Sequence, residues 1–194
     1  MPKLQEALDR FDALFSRAAT CHLNEPSAVT VATVGADGSP SARVVLLKGY
    51  DASGFVFYTN TLSRKGHELA ANPRVAMCFF WDPLMEQVRV EGRVSSVTDA
   101  EADAYWNGRH PGSQLGAWAS DQSEPLESRE TLESRVAAFA ERFGDGPIPR
   151  PFHWSGYRVA PDRIEFWLSL PNRLHERTCY SLEEGEWRKS LLHP

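Results

Sequence analysis

A short segment near the C-terminus, EFWLSLPNRLHER at residues 165–177, concentrates side chains that could bind a planar anion. Trp167 offers an aromatic face there. The cationic or titratable side chains stand at alternate positions: Arg173, His175 and Arg177. In a locally extended chain these three would point to one side, where they repel one another unless something negative lies between them. The residues alone leave two interpretations open, an anion site or a salt-bridge cluster with Glu165 or Glu176.

A second basic group lies where a helix is predicted to begin, at Ser63, Arg64 and Lys65 of the segment 63–72, which Pro73 ends. Free backbone N–H groups and the helix dipole favour an anion at such a terminus. Two cations and a hydroxyl group would suit a phosphate. The alternative is a solvated basic helix end, because charged side chains are mostly exposed.

Two further groups of polar residues could contact an anion. Arg43 and Lys48 lie five residues apart on a predicted strand, so a regular strand would send their side chains to opposite faces. Tyr105 and Arg109 lie four residues apart and share a face of a predicted helix, with Ser113 shortly after it. This polar trio suits an anion, and a helix C-terminus that simply favours a cation is the alternative.

The composition limits the class of protein. The 194 residues carry a net charge of −5, so the bulk positive charge that holds many nucleic-acid-binding proteins to their ligand is lacking. No apolar run reaches the length of a membrane-spanning helix, and the three cysteines have no metal-ligand spacing. We therefore expect a reduced, cytoplasmic protein that binds no metal, nucleic acid or membrane. Neither a Gly-rich phosphate loop nor the spacing of a nucleophilic triad is present.

Hydrophobic periodicity predicts the secondary structure. Helices are predicted over 3–19, 63–72, 99–108 and 129–143. Strands are predicted over 27–34, 41–48, 55–60, 74–81, 86–97, 155–160, 163–168, 177–181 and 186–191. Strands separated by turns about every ten residues predict a mainly β fold, an antiparallel barrel with flanking helices.

The chain is predicted to form one domain over residues 1–194. It would contain an N-terminal helix within 1–20, a helical insertion at 98–143, and C-terminal strands at 153–194 that complete the barrel. The Pro/Gly-rich stretch 144–152 looks like a linker, but the residues after it are too few for an independent core.

Five segments together resemble the pyridoxine/pyridoxamine 5′-phosphate oxidase family. They are RVVLLKGYDASGFVFYTN, SRKGHELAANPR, EQVRVEGRV, GSQLGAWASDQS and IEFWLSLPNRLHER, which follow the family's order within residues 27–194. The pair EFW and RLHER is the most specific of them. The resemblance implies an FMN-binding split β-barrel that works as a homodimer, with FMN at the subunit interface.

The resemblance also implies two sets of ligand contacts. The residues implied to contact FMN are Arg43, Lys48, Tyr58, Thr59, Arg64, Lys65, Gln87, Gln122, Ser123, Trp167 and Arg177. The residues implied to contact a pyridoxal-type substrate are Lys48, Tyr105, Arg109, Ser113, Arg173 and His175. Arg173 would lie against the pyridine ring and His175 would orient the substrate, which makes these two the candidate catalytic residues.

The implied reaction is oxidation at C4′ of pyridoxamine or pyridoxine 5′-phosphate to pyridoxal 5′-phosphate, a step of vitamin B6 metabolism. FMN would accept a hydride, and dioxygen would reoxidise it with hydrogen peroxide as the product. One alternative is a related flavin oxidase with another substrate, as in phenazine biosynthesis. Another is a non-catalytic protein that binds FMN or pyridoxal 5′-phosphate.

Two departures from the family pattern bear on rate and substrate choice. Leu168 follows EFW, where the family usually has Gln, His or Gly. Many members also carry an N-terminal arm that closes over the substrate. This sequence starts almost at its first helix, so the arm is expected to be absent or supplied differently.

Overall fold

A computed structural model describes residues 2–194. Its helices are α1 (Pro2–Thr20), α2 (Arg64–Ala71), α3 (Asp99–Asn107), α4 (Pro111–Ala119) and α5 (Arg129–Phe143). Its strands are β1 (Ala28–Val34), β2 (Pro40–Leu46), β3 (Gly49–Asp51), β4 (Gly54–Asn60), β5 (Arg74–Trp81), β6 (Glu86–Ser96), β7 (Trp154–Leu168), β8 (Glu176–Glu183) and β9 (Glu186–Leu191). No helix within this described range is long and apolar enough to cross a membrane.

The strands form one antiparallel sheet in the order β2-β1-β5-β6-β7-β4-β3, with β8 and β9 added at β7. The long strand β7 joins the two parts of the sheet, because its first half pairs with β4 and its second half pairs with β8. Its register with β6 shifts at Gly92, where a Cβ atom would lie 2.1 Å from the carbonyl oxygen of Ala160. The bulge and the required glycine let β7 bend, and the sheet curls into a half-barrel.

Helix α1 fills the interior of this half-barrel. Phe11 is fully buried, and its ring makes edge contacts with Phe55 at 5.1 Å and Phe79 at 5.2 Å between centroids. Alternate residues of β5 point to the same interior, as the two-residue period of a half-buried strand requires. The expected mainly β, antiparallel barrel with flanking helices is therefore confirmed.

Several element predictions are confirmed and three are wrong. The hairpin of β1 and β2, the helix α2 and the helix α5 form as their patterns indicate. The predicted strands 155–160 and 163–168 are one continuous strand, β7. The helix α4 and the short strand β3 lie outside the predicted helices and strands. Pro111 begins α4 and two glycines interrupt it, which masks its helical pattern.

Candidate active site

A cavity of about 800 Å³ opens between β2, β4, α2 and the segment that carries α3 and α4. It brings together most of the candidate ligand contacts. The cationic side chains that line it are Arg43, Lys48, Arg64, Lys65 and Arg109. None of the residues lining it in the described range 2–194 is a carboxylate. A concave space with five cations and no acid in its wall fits an anionic ligand.

Lys65 is the most buried of these cations. Its residue is only 7% exposed, and its Nζ donates to Gln122 Oε1 at 2.6 Å, to Ser63 Oγ at 3.0 Å and to Thr59 Oγ1 at 3.1 Å. All three acceptors are neutral. Burial, reinforced by the nearby charge of Arg43, lowers the pKa of Lys65 to about 8. A desolvated ammonium without an acid partner favours a ligand that supplies negative charge.

Helix α2 begins beside Lys65, as its sequence predicts. The Ser63 side chain caps the helix and accepts from the backbone N–H of Gly66. Gly66 leaves no room for a side chain, because a Cβ atom would lie 2.0 Å from the carbonyl oxygen of Thr61. This close turn fixes the helix start, whose dipole adds to the positive potential of the cavity.

Glu68 lies behind the cavity and contacts two of its arginines. It accepts from Arg43 Nη2 at 3.0 Å through one carboxylate oxygen and from Arg64 Nε at 2.8 Å through the other. The hydroxyl groups of Ser41 and Thr33 also donate to it. Burial alone would raise the pKa of Glu68, but these hydrogen bonds lower it to about 2. Glu68 is therefore a permanent anion at neutral pH.

Three parallel rings form one wall of the cavity. Tyr58 stacks on Tyr105 with 4.1 Å between ring centroids and on Trp154 with 5.3 Å. The guanidinium group of Arg109 lies 4.8 Å from the Trp154 ring, within cation–π distance. Burial lowers the pKa of Arg109 below its ordinary range, and its buried Nε has no hydrogen-bond partner within residues 2–194. Arg109 is thus a second desolvated cation that could take a ligand oxygen.

Arg109 and Lys48 reach the cavity by routes other than those predicted. Helix α3 ends at Asn107, so Arg109 follows the helix and donates to the Ser113 carbonyl oxygen at 3.2 Å. Strand β2 ends at Leu46, and the Lys48 N–H then bonds to β4. The prediction that Arg43 and Lys48 face opposite sides is wrong because the strand stops between them, and both line the cavity.

The remaining candidate contacts lie on the other part of the sheet and in the turn that precedes β8. Gln87 of β6 pairs with Trp167 of β7, and Trp167 pairs with Arg177 of β8. The His175 ring lies 4.6 Å from the Trp167 ring. We call Gln87, Trp167, Arg173, His175 and Arg177 the C-terminal row.

The predicted extended path of residues 173–177 is wrong. Residues Pro171–Arg173 form a short 3-10 turn, and Asn172 and Arg173 adopt left-handed backbone angles with φ of 57° and 64°. Strand β8 begins only at Glu176. His175 reaches Trp167 through this turn, with its Nδ1 accepting from the Leu170 N–H at 3.2 Å.

Arg177 also satisfies the salt-bridge interpretation of this segment. Its Nε donates to Glu165 at 2.7 Å, and Glu165 further contacts Arg89 and Arg163. Glu165 is 2% exposed, so burial would raise its pKa, but the bonds from Arg177 and Arg89 lower it. Unlike Lys65, Arg177 has an acid partner on its own chain.

The cavity and the C-terminal row lie at opposite ends of β7. Trp154 lines the cavity and Trp167 belongs to the row, and the 15 residues of this strand would span roughly 45 Å if fully extended. The members of the C-terminal row do not line the cavity. One copy of the chain thus carries two separate groups of candidate residues.

The structure adds residues that were not among the candidates. Trp154 and Asn60 line the cavity, and Glu68 holds two of its arginines. The four-residue spacing of Arg64 and Glu68 on α2 is a readable signal of an ion pair. Nothing local signals Trp154, because its partners come from β4 and α3.

Comparisons with known proteins cover nearly the whole chain. Residues 15–143 match the family model described as pyridoxamine 5′-phosphate oxidase. Residues 154–194 match the pyridoxine 5′-phosphate oxidase C-terminal dimerisation region, which contains four members of the C-terminal row. The pyridoxine/pyridoxamine 5′-phosphate oxidase of Myxococcus xanthus (strain DK1622) is 59% identical over 189 residues, 97% of this chain and 92% of that protein. That of Alkalilimnicola ehrlichii is 57% identical over 196 residues, 100% of both.

Two solved structures share the fold. PhzG from Burkholderia lata 383, in complex with tetrahydrophenazine-1-carboxylic acid, has a TM-score of 0.92 at 29% identity and covers 100% of this chain and 97% of its own. A pyridoxamine 5′-phosphate oxidase-related, FMN-binding protein from Nostoc punctiforme PCC 73102 has a TM-score of 0.69 at 18% identity, with 100% and 96% covered.

The half-barrel and the family match together define this molecule as an FMN-binding split-barrel flavoprotein, and its cationic cavity fits that class. The chain belongs to the pyridoxine/pyridoxamine 5′-phosphate oxidase family, a family of oxidoreductases. Its matched dimerisation region supports a homodimer.

Proposed function

We propose that this protein oxidises pyridoxamine 5′-phosphate or pyridoxine 5′-phosphate to pyridoxal 5′-phosphate, with FMN as cofactor and dioxygen as electron acceptor. Hydrogen peroxide is the second product. Relatives of more than half identity along nearly the whole chain carry the corresponding name. The observation that carries the proposal is the cavity itself, whose five cations include a buried lysine without an acid partner in the described residues 2–194.

The cavity offers two regions for two phosphate groups. Arg43, Arg64 and Lys65 surround the start of α2 and would hold the phosphate of FMN. Arg109, beside the Ser113 backbone and under the aromatic wall, would hold the phosphate of the substrate. Lys48 follows β2 and also lines the cavity, and it would contact both ligands. The other proposed FMN contacts within the cavity are Tyr58, Thr59, Gln122 and Ser123.

When bound, FMN supplies an acceptor for the hydride lost from C4′ of the substrate. The chain's own residues bind and orient the two ligands rather than exchange covalent bonds with them. The stacked rings of Tyr58, Tyr105 and Trp154 form a flat wall that would exclude water from one side of the substrate.

The C-terminal row would complete the site from the second copy of the chain. On one chain the row lies at the far end of β7 from the cavity and none of its members lines that cavity, which supports assigning it to the cavity of the second copy. A two-fold homodimer repeats each contact, and two equivalent sites result. In each site Gln87, Trp167 and Arg177 would contact FMN. Arg173 and His175 would contact the substrate.

An anaerobic mixing experiment tests the proposed reaction. Purified holo-protein is mixed with pyridoxamine 5′-phosphate without oxygen, and the flavin absorbance is followed. We expect bleaching, return of the absorbance when air is admitted, and one pyridoxal 5′-phosphate for each hydrogen peroxide. Unphosphorylated pyridoxamine is the matched control and should react poorly, since Arg109 then has no phosphate to bind. A holo-protein that neither phosphorylated vitamer bleaches would contradict the proposal.

A second candidate function is oxidation of a reduced phenazine carboxylic acid. It is favoured by the TM-score of 0.92 to PhzG, whose structure contains tetrahydrophenazine-1-carboxylic acid. That acid carries a carboxylate in place of a phosphate. Adding it to the same anaerobic assay discriminates the two, because bleaching by the phenazine acid alone would assign this second function.

A further inference from the structure

We propose that Glu68 is a positioning residue that holds Arg43 and Arg64 in the arrangement that receives the phosphate of FMN. The inference rests on the proposed use of FMN as the cofactor. Glu68 does not line the cavity, and no ligand contact is assigned to it. It acts through the two arginines that it contacts.

The contacts of Glu68 divide between its two oxygens. Oε1 accepts from Arg64 Nε at 2.8 Å, and Oε2 accepts from Arg43 Nη2 at 3.0 Å and from Ser41 Oγ at 2.6 Å. The carboxylate therefore bridges β2 and α2, the two elements that carry these arginines. Its residue is 7% exposed, so the carboxylate itself is shielded from solvent and from salt.

The bridge leaves the Nη atoms of Arg64 free, whereas on Arg43 only Nε makes no hydrogen bond within residues 2–194. Arg64 uses only its Nε toward Glu68, and its two Nη atoms make no hydrogen bond to any residue within 2–194. The Arg64 side chain is 61% exposed and would otherwise be mobile. Arg43 uses both Nη atoms on Val31, Thr33, Ser41 and Glu68, which fixes its guanidinium plane. Rigid donors lose less entropy when a ligand binds.

The charge balance also fits a phosphate. Arg43, Arg64 and Lys65 contribute three positive charges, and Glu68 subtracts one. The remaining two positive charges match a phosphate monoester, which carries about −1.5 to −2 near neutral pH. Glu68 further helps to keep Lys65 protonated, since its charge raises the pKa of that lysine against the effect of burial.

The opposite role for Glu68 would be competition with the phosphate for the arginines. A competitor would need to occupy the donors that the ligand uses. On Arg64, Glu68 occupies only Nε and leaves the Nη pair free, and on Arg43 it occupies Nη2 and leaves Nε free. The two roles predict opposite effects on FMN affinity when the carboxylate is removed.

The test compares FMN with riboflavin, which lacks only the phosphate. Apo-protein variants are titrated with each flavin by fluorescence quenching. In Glu68→Leu we expect the Kd for FMN to rise about twentyfold and the Kd for riboflavin to stay within about twofold. Glu68→Gln keeps one oxygen acceptor, so its Kd for FMN should lie between, at least about threefold above the wild type. A general loss of structure would weaken both flavins equally.

Glu6→Leu provides the matched control. Glu6 also bridges two cations, with Lys189 at 2.6 Å and Lys3 at 2.7 Å, but it lies on α1 outside the cavity. Its loss should change neither flavin affinity. Unchanged or tighter FMN binding in Glu68→Leu would overturn the inference. If the leucine variant does not fold, unchanged or tighter FMN binding in Glu68→Gln would overturn it instead. Failure of the wild type to bind FMN would instead refute the proposed function.

Discussion

The cavity and the C-terminal row each lie beside a buried carboxylate that contacts arginines. The two regions differ in whether their buried cations have an acid partner. Beside the row, Glu165 contacts Arg177 of the row and the neighbouring Arg89 and Arg163, so each of these three arginines has an acid partner on its own chain. In the cavity, Glu68 contacts Arg43 and Arg64 but not Lys65, which has only neutral acceptors. A desolvated cation without an acid partner carries an electrostatic cost that an anionic ligand removes.

The difference separates two tasks of one site. The cavity is incomplete without a ligand, so it supplies affinity for phosphate groups. Arg177 of the row is paired within its own chain and can keep its position before a second copy docks. What the row offers outward is Arg173 and the ring pair of Trp167 and His175, which suit a flat ligand.

Mixed dimers test most directly whether the two regions serve one site. Arg109→Ala should abolish substrate binding in the cavity, and the double change Arg173→Ala and His175→Ala should disable the row. We expect each homodimer to lose at least about a hundredfold in turnover. After subunit exchange, half of the dimers are mixed and each has one intact site, so about a quarter of the wild-type activity should return.

Each variant mixed only with itself under the same exchange conditions is the control. Activity that stays at the single-variant level in confirmed mixed dimers would mean that the cavity and the row do not meet across the interface. Flavin content should be measured alongside, since both variants are expected to keep FMN.

Replacing Lys65, which has no acid partner within residues 2–194, should lower the affinity for FMN more than replacing a cation that has one. Lys65→Met removes a charged donor from the cavity, and we expect the Kd for FMN to rise about thirtyfold, since a hydrogen bond to a charged group contributes about 1.5–3 kcal/mol. Arg163→Met is the comparison, because Arg163 pairs with Glu91 and Glu165 and lines no part of the cavity. It should stay within about twofold of the wild type. An equal rise in the Kd for FMN in the two variants would show that a cation without an acid partner contributes no more to FMN binding than a paired one.

The free energy of unfolding of the apo-protein should depend on pH through Lys65, because this lysine is buried without an acid partner within residues 2–194. The pKa of Lys65 is about 8 in the folded chain against an ordinary 10.5, so between these values the unfolded chain binds more protons. The contribution of Lys65 to the free energy of unfolding should therefore rise with pH between about 8 and 10.5. Over the same range FMN affinity should fall, by up to about tenfold per pH unit.

Denaturant titrations of the apo-protein at several pH values, with FMN titrations beside them, measure both trends. The slope that belongs to Lys65 is the difference between the wild type and Lys65→Met. A difference that does not change with pH would place the pKa of Lys65 near its ordinary value.

The sequence predicts local features of the site well. Ser63 caps α2 as its pattern indicates. Arg64 and Lys65 reach the cavity from the helix start that the segment SRKGHELAAN predicts. The alternation of β5 and the hairpin of β1 and β2 follow their two-residue period. These features depend on neighbours within one or two turns of chain, where periodicity and capping residues act.

Features that depend on distant partners could not be predicted. The stack of Tyr58, Tyr105 and Trp154 joins β4, α3 and β7, and no spacing along the chain brings their rings together. The separation of the C-terminal row from the cavity follows from the length and bend of β7, which the patterns divided into two strands. The left-handed turn at Asn172 and Arg173 likewise breaks an alternation that looked extended.

The smallest effect on ligand binding is expected at Glu165, the carboxylate that Arg177 of the row contacts. Glu165→Gln removes the anion from Arg177, but Arg177 also donates to the His193 carbonyl oxygen at 2.9 Å and stays in register with Trp167. FMN affinity should therefore change by no more than about threefold.

Stability should respond instead, because the lowered pKa of Glu165 means that the folded state favours the carboxylate. That contribution is fully present above the ordinary pKa of 4.5 and is lost as the pH falls through the lowered value. Thermal unfolding of the two proteins should differ near pH 7 and converge in acid. A difference that persists below that range would mean that packing around residue 165, rather than its charge, stabilises the row.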